Sequence, residues 1–175
     1  MNTVQKTNTL KEFDQVTSLC FALFRQQIWE NASTETKELT GKIFSRLSSI
    51  RNLENAGGRL VENAYISVLA FAVQALILIS EENTQCGDSH TLQILYDKKI
   101  SEAKNLMLNK NHDYDEAWRQ MRTSSITDLM LMKVLRLNQI ANNKGKTIIS
   151  EGPEANYLDI INYCVFALIR IGAVE

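Results

Sequence analysis

The sequence predicts an all-α protein, a helical bundle of two tandem three-helix repeats that pair pseudo-symmetrically, and three observations carry that expectation. One proline and seven glycines among 175 residues leave few of the side chains that most strongly interrupt a helix. Apolar residues recur at helical spacing, and alternating β-branched runs of the kind that make strands are scarce. The chain also matches itself along much of its length, which is how a repeat architecture shows in a sequence.

The matches define the elements in order. Ala64–Ile79 (AYISVLAFAVQALILI) lies over Asn156–Ile171 (NYLDIINYCVFALIRI) at an offset of 92, with Glu62 on Glu154. Ser45–Asn52 lies over Leu135–Asn142 at an offset of 90, pairing Arg46 with Arg136 and Ile43 with Lys133. Trp29 falls on Trp118 at 89, and Phe13, Asp14, Ser18 and Leu23 fall on Tyr96, Asp97, Ser101 and Leu106 at 83. The offset changes only where loops are expected. The helices are placed at about 9–28, 35–55 and 61–80 in the first unit and 90–109, 124–143 and 153–172 in the second. Ser125 followed by Asp128 resembles a capping box for the fifth helix. Gly152-Pro153-Glu154 puts a proline, which lacks an N–H that would have no partner there, and an acid in the first turn of the sixth. The domain expectation is a degenerate first repeat over 1–82, a linker over 83–95 and a second repeat over 96–175.

Composition narrows the function classes. A hydrophobic fraction of 45% is enough for a packed core, and 19 basic against 20 acidic residues give a net charge of −1. Such a balance creates no global field for nucleic acid or an anionic membrane. The apolar run Val68–Ile79 is interrupted by Gln74 and reads as too short for a bilayer span, and the first residues lack the apolar core of a signal peptide. The expectation is a cytoplasmic protein with no membrane association. Cys20, Cys86 and Cys164 show no CxxC spacing and read as reduced thiols.

Differences between the copies locate the candidate site in the second unit. The last helix of each unit is apolar nearly all round, so polar residues within it need a cause. Asp159, Asn162 and Tyr163 stand at i, i+3 and i+4 where the first copy has Ser67, Ala70 and Phe71. A buried carboxylate is costly unless cations or donors meet it, so something positive is expected opposite Asp159. That partner is either a salt-bridging Arg136 or Lys133 that orients helices, or a divalent metal or substrate. The second copy carries extra residues at KNHDYDEAWRQMR (Lys110–Arg122), read as a loop dense with Lys110, His112, Asp113, Tyr114, Asp115, Glu116, Arg119 and Arg122, which offer ligands, general acids and anion-binding cations. Lys133 and Arg136 share a helix face and could neutralise phosphate oxygens. Glu151 has no acidic counterpart in the first copy, whereas Glu154 does. Carboxylates without paired histidines or thiolates suit Mg²⁺ or Mn²⁺, which often share oxygen ligands with phosphates. No GxGxxG, Walker, GxSxG or HExxH motif is present.

The segment KNHDYDEAWRQMRTSSITDLMLMKVLR followed by GKTIISEGPEANYLDIINYCVFALI resembles the nucleotide modification associated domain family, type 1, over about residues 96–172. The first unit looks like a degenerate copy, a paired form found in bacteria. The family pattern of HDY, Lys-x-x-Arg, Glu and Asp-x-x-Asn-Tyr falls on His112, Asp113, Tyr114, Lys133, Arg136, Glu151, Asp159, Asn162 and Tyr163; Asp115 stands where many members have Gly. The last helix is also similar to that of MazG-like all-alpha nucleotide pyrophosphohydrolases, although their ExxE pair is missing. The resemblance implies a Mg²⁺-dependent nucleotide-binding or pyrophosphohydrolase protein. Asp113, Glu151 and Asp159 would be metal ligands and catalytic candidates. Lys133, Arg136 and Arg119 would meet phosphates, and His112, Tyr114, Asn162 and Tyr163 other parts of the substrate. The competing expectation is a non-catalytic helical scaffold or nucleotide sensor, and a homo-oligomer fits either.

Overall fold

Six α-helices and one short 3₁₀ turn make up the regular structure among the described residues of the computed structural model, which are 3–30, 35–53, 59–80, 89–114, 116–143 and 152–174. The helices are α1 (Thr3–Glu30), α2 (Thr36–Leu53), α3 (Arg59–Ile79), α4 (Ser89–Tyr114), α5 (Thr123–Asn142) and α6 (Pro153–Arg170), with the 3₁₀ turn at Ala117–Gln120 between α4 and α5. No strand occurs among the described residues. The all-α expectation holds.

The outer helices bury a stripe and the inner two bury almost everything, and this follows from their side chains. In α1 the buried positions are Thr9, Phe13, Val16, Thr17, Cys20 and Phe24, a 3.6-residue recurrence. In α3 every residue from Ala64 to Ile77 is buried, and α6 is nearly the same from Asn156 to Leu168. Each fully buried Leu, Ile or Phe contributes about 1.5–3 kcal/mol over an exposed one, so α3 and α6 dominate the apolar driving force. The α3 segment Leu60–Ile79 is in fact long and apolar enough, by length and composition, to cross a membrane, contrary to the shorter run read from the sequence. Its most apolar window is 78% buried inside the bundle, which accounts for that composition.

α3 and α6 pack on each other at the centre. α3 also packs on α1 and α2, and α6 on α4 and α5; α2 meets α5, α1 meets α4, α1 reaches α6 and α3 reaches α4. Exchanging the first three helices for the last three maps this set of contacts onto itself. Side chains repeat the exchange. The Tyr65 hydroxyl of α3 lies 2.7 Å from Thr127 Oγ1 of α5, and the Tyr157 hydroxyl of α6 lies 2.6 Å from Thr40 Oγ1 of α2. Both threonines also donate to the carbonyl four residues back, Thr123 at 3.1 Å and Thr36 at 2.9 Å. These pairings matter because a buried hydroxyl without a partner costs about 1–3 kcal/mol.

Burial favours a different offset for one of the sequence matches. The buried set Leu39, Thr40, Ile43, Leu47 and Ile50 in α2 coincides with Ile126, Thr127, Met130, Val134 and Leu137 in α5. The spacing is 87 residues throughout, not 90. Lys133 thus stands opposite Arg46, and Arg136 opposite Ser49. A helix shifted by three residues turns by only about 60°, so matching Arg, Leu and Ile along the sequence can select the wrong turn. The 83 and 92 offsets agree with burial: Phe13, Thr17, Cys20 and Phe24 correspond to Tyr96, Ile100, Ala103 and Met107, all buried.

Helix ends differ in detail. The capping box at Ser125 does not form: the N-cap of α5 is Arg122, three residues earlier, and it has no side-chain cap. Gly152 caps α6, with Pro153 at the start and Glu154 in the first turn, as the sequence indicated. α6 ends at Gly172, whose φ of 76° lets its N–H reach Ile169 O at 3.1 Å and that of Ala173 reach Leu168 O at 3.0 Å. This is a Schellman termination, which glycine allows without strain. Cys20 and Cys164 are free and buried; Cys86 lies outside the described residues.

Candidate functional site

The sequence reading ended α4 near residue 109 and made Lys110–Arg122 a loop. α4 instead runs to Tyr114, because its buried face continues through Ala103, Met107 and Asn111 without a Gly or Pro to stop it. Lys110 is therefore a helical residue directed at α6. His112, Asp113 and Tyr114 occupy the last turn of α4; their side chains lie outside the described residues, as do Asp115 and Glu151.

Asp159 forms the centre of the site. Its side chain is 3% exposed in the middle of α6, and two lysines meet it. Lys110 Nζ donates to Oδ1 at 2.5 Å, and Lys133 Nζ from α5 approaches Oδ2 at 2.7 Å. The second contact has the distance of a strong ion pair but lacks hydrogen-bond alignment at Oδ2. A positive partner opposite Asp159 was expected. It is Lys133, one of the two named, joined by Lys110, which the sequence placed in a loop. Arg136, the other one named, lies 3.4 Å from Gln139 Oε1 one turn further along α5. The lysines are 41% and 26% exposed, so their outer faces reach solvent while the carboxylate does not.

The same face of α6 continues into a second polar group and an aromatic one. Asn162, 3% exposed, donates from Nδ2 to the Ala103 carbonyl of α4 at 2.9 Å. Its Oδ1 is buried without a hydrogen-bond partner. Phe166 stacks on Trp118 of the 3₁₀ turn with ring centroids 4.3 Å apart and planes 4° from parallel, and Tyr163 meets Phe166 edge-on at 6.4 Å. The polar insertion of the second unit therefore docks an aromatic anchor onto α6.

Arg119 holds that anchor. Its guanidinium lies 4.3 Å above the Trp118 ring. Nη2 donates to Glu12 Oε2 at 2.5 Å and to Thr9 Oγ1 at 2.6 Å, and Nε donates to Glu116 Oε2 at 2.6 Å. Thr9 in turn donates to Glu116. Burial opposes the guanidinium charge, but hydrogen bonds to Glu12 and Glu116 outweigh it and raise the Arg119 pKa. With two carboxylates already on it, Arg119 ties the 3₁₀ turn to α1. Its contacts are with α1 and the turn, and not with the lysine cluster.

The structure thus brings together Asp159, Lys133, Asn162 and Tyr163 from the sequence reading, joins to them Lys110, which that reading had placed in a loop, and adds Trp118. A signal for Lys110 was present: Ala103, Met107 and Lys110 keep helical spacing beyond the point where polar composition suggested a loop. Among the described residues no group of three or more His, Cys, Asp or Glu converges as a metal site would require.

The family of nucleotide modification associated domain 1 matches residues 110–171. The matched stretch begins at Lys110 and contains Lys133, Asp159 and Asn162, so the cluster falls wholly within it. No curated protein and no solved structure matches the chain.

Proposed function

We propose that the Lys110–Asp159–Lys133 cluster is the phosphate-binding part of a nucleotide site. The observation that carries this reading is the charge arrangement. A buried carboxylate fixes two lysines whose outer faces reach solvent, which holds two ammonium donors side by side where an anion could meet them. The family match supports nucleotides as the source of that anion. Asp159 acts as a positioning residue: it removes rotamer freedom from two long side chains before the phosphate arrives.

The described donors do not form a Mg²⁺ site, since both Asp159 oxygens face lysines. Metal dependence and hydrolysis of the MazG-like kind are thus parts of the proposal to be put to the assay. The chain would carry the site in its second unit, with the first unit as its pseudo-symmetric partner, a pairing supported by the exchange of helix contacts and of the two Tyr–Thr pairs.

Isothermal titration of the full chain with a panel of nucleoside triphosphates, with Mg²⁺ and with EDTA, tests this reading. Lys133→Ala should weaken binding roughly tenfold, the worth of one charge-assisted hydrogen bond at a half-exposed site. Phosphate or pyrophosphate release is measured alongside. Absence of binding to any nucleotide, with or without Mg²⁺, refutes the proposal. It would favour the scaffold reading, in which the lysines serve only to neutralise Asp159.

A further inference from the structure

We infer that Asn162 reads an N–H donor on the base of the bound nucleotide, through its Oδ1. The inference rests on the phosphate site proposed above and adds the part of the ligand that lies deeper along α6.

The first ground is the amide itself. Asn162 Nδ2 donates to the Ala103 carbonyl at 2.9 Å, and this fixes which end of the amide is which. Turning it over would set an oxygen against the carbonyl oxygen. Oδ1 is therefore an oriented acceptor, on a side chain 97% buried, with no hydrogen bond of its own. A buried acceptor in that state costs about as much as a lost hydrogen bond, so its retention calls for a donor.

Position is the second ground. Asp159, Asn162, Tyr163 and Phe166 follow one another on one face of α6. Along about 10 Å of helix, the character changes from the two lysines, through one acceptor, to the stacked Phe166–Trp118 pair. A nucleotide likewise carries the polar edges of its base a short way beyond its phosphates; the aromatic pair, buried and covered on its Trp118 side by Arg119, closes the far end. The first unit supplies the contrast. Ala70, also buried, stands at the position corresponding to Asn162, and Ser67 at that of Asp159. Acceptor and carboxylate therefore occur together in the second unit, and both are replaced in the first.

The test compares nucleotides that differ only in the donor: UTP against N3-methyl-UTP and ATP against purine riboside triphosphate, with inorganic tripolyphosphate as the ligand without a base. Titrations use the full chain. In the wild type at least one pair should differ by roughly ten- to a hundredfold in favour of the donor, the value of satisfying a buried acceptor. Asn162→Ala should bring that ratio close to one. Ala70 shows that an alanine packs at the corresponding place. Lys133→Ala should weaken both members of the pair and keep the ratio.

Equal binding of both members of each pair by the wild type overturns the inference and leaves the phosphate site standing. A ratio that persists in Asn162→Ala overturns it as well. Loss of tripolyphosphate binding in Asn162→Ala would make the residue a structural support, which also overturns it. Failure of the wild type to bind tripolyphosphate and every nucleotide removes the phosphate reading beneath it too.

Discussion

Replacing Lys110 and Lys133 by methionine, singly and together, separates two descriptions of Asp159. If each lysine makes an independent surface contact, the losses add. If the two share one buried charge, they do not. Methionine keeps most of the aliphatic stem, so the substitution mainly removes the charge. The lysines are partly exposed and regain water when released, so each single loss is modest, about 1 kcal/mol. With one lysine left, Asp159 remains compensated. With neither, a carboxylate only 3% exposed has no cation, and breaking buried pairs of this kind costs about 3–5 kcal/mol. The double variant should thus fall 1–3 kcal/mol below the sum of the singles. Urea unfolding measures this directly: at a slope of about 2–3 kcal/mol/M the double variant's midpoint moves by roughly 1.5 M. Adding Asp159→Asn to the double variant should recover much of that loss. Additivity within about 0.5 kcal/mol, the value for independent sites, refutes the shared-charge argument.

Other consequences follow from buried groups elsewhere. Tyr157→Phe leaves Thr40 with its own-helix carbonyl but removes the link from α6 to α2, and should cost about 1 kcal/mol in chemical unfolding; Tyr65→Phe should match it to within a few tenths if the two links are equivalent, and a strongly unequal pair counts against the exchange of halves. Burial pushes the Cys20 thiol up to about 12 from 9.0, with Glu62 adding to it, and burial likewise holds the Cys164 thiol well above the ordinary value. A folded pKa above the unfolded one gives stability that is whole below pH 9 and is lost as pH rises towards 12, at up to about 1.4 kcal/mol per pH unit per thiol. Melting temperature against pH should fall from pH 9 to 10 and flatten in Cys20→Ala/Cys164→Ala, before Tyr96, also raised by burial, enters above pH 10; an unchanged slope in the variant would be inconsistent with this assignment. Trp118→Ala should cost about 3–5 kcal/mol by emptying its place on Phe166, and Arg119→Ala less than that because Glu12 remains 15% exposed; a Trp118→Ala loss below 1 kcal/mol would mean that the turn is not anchored.

The fold was legible because its two central helices are apolar all round, a pattern that only burial on every side explains. The number and order of the six helices follow from that and from the scarcity of Gly and Pro, whereas the ends of α1 and α4 do not. The site was legible in part. Asp159 and Asn162 stood out as polar residues in an apolar helix, and Lys133 as a charge facing them. Two features misled. The density of charge in Lys110–Arg122 suggested a loop, although nothing there breaks a helix before Asp115. The similarity of Arg46 and Arg136 hid a register shift of one turn, because leucines and isoleucines recur at spacings that tolerate it. What single-residue reading cannot supply is the choice of partner: that Arg119 turns to Glu12 in α1 while Lys110 turns to Asp159 depends on tertiary packing over 107 and 49 residues.

The two Tyr–Thr links cross between the halves, so the helix that bears the cluster is hydrogen-bonded to a helix encoded before the middle of the chain. The first half carries α3, and the side of α3 left open by α1 and α2 is covered mainly by α6. As the chain emerges during synthesis, α3 must wait for α6, which follows it by three helices. That interval is when the nascent protein is most exposed to aggregation, and it makes the two halves a natural pair for fragment complementation: co-produced pieces divided between α3 and α4 should recover together what neither holds alone.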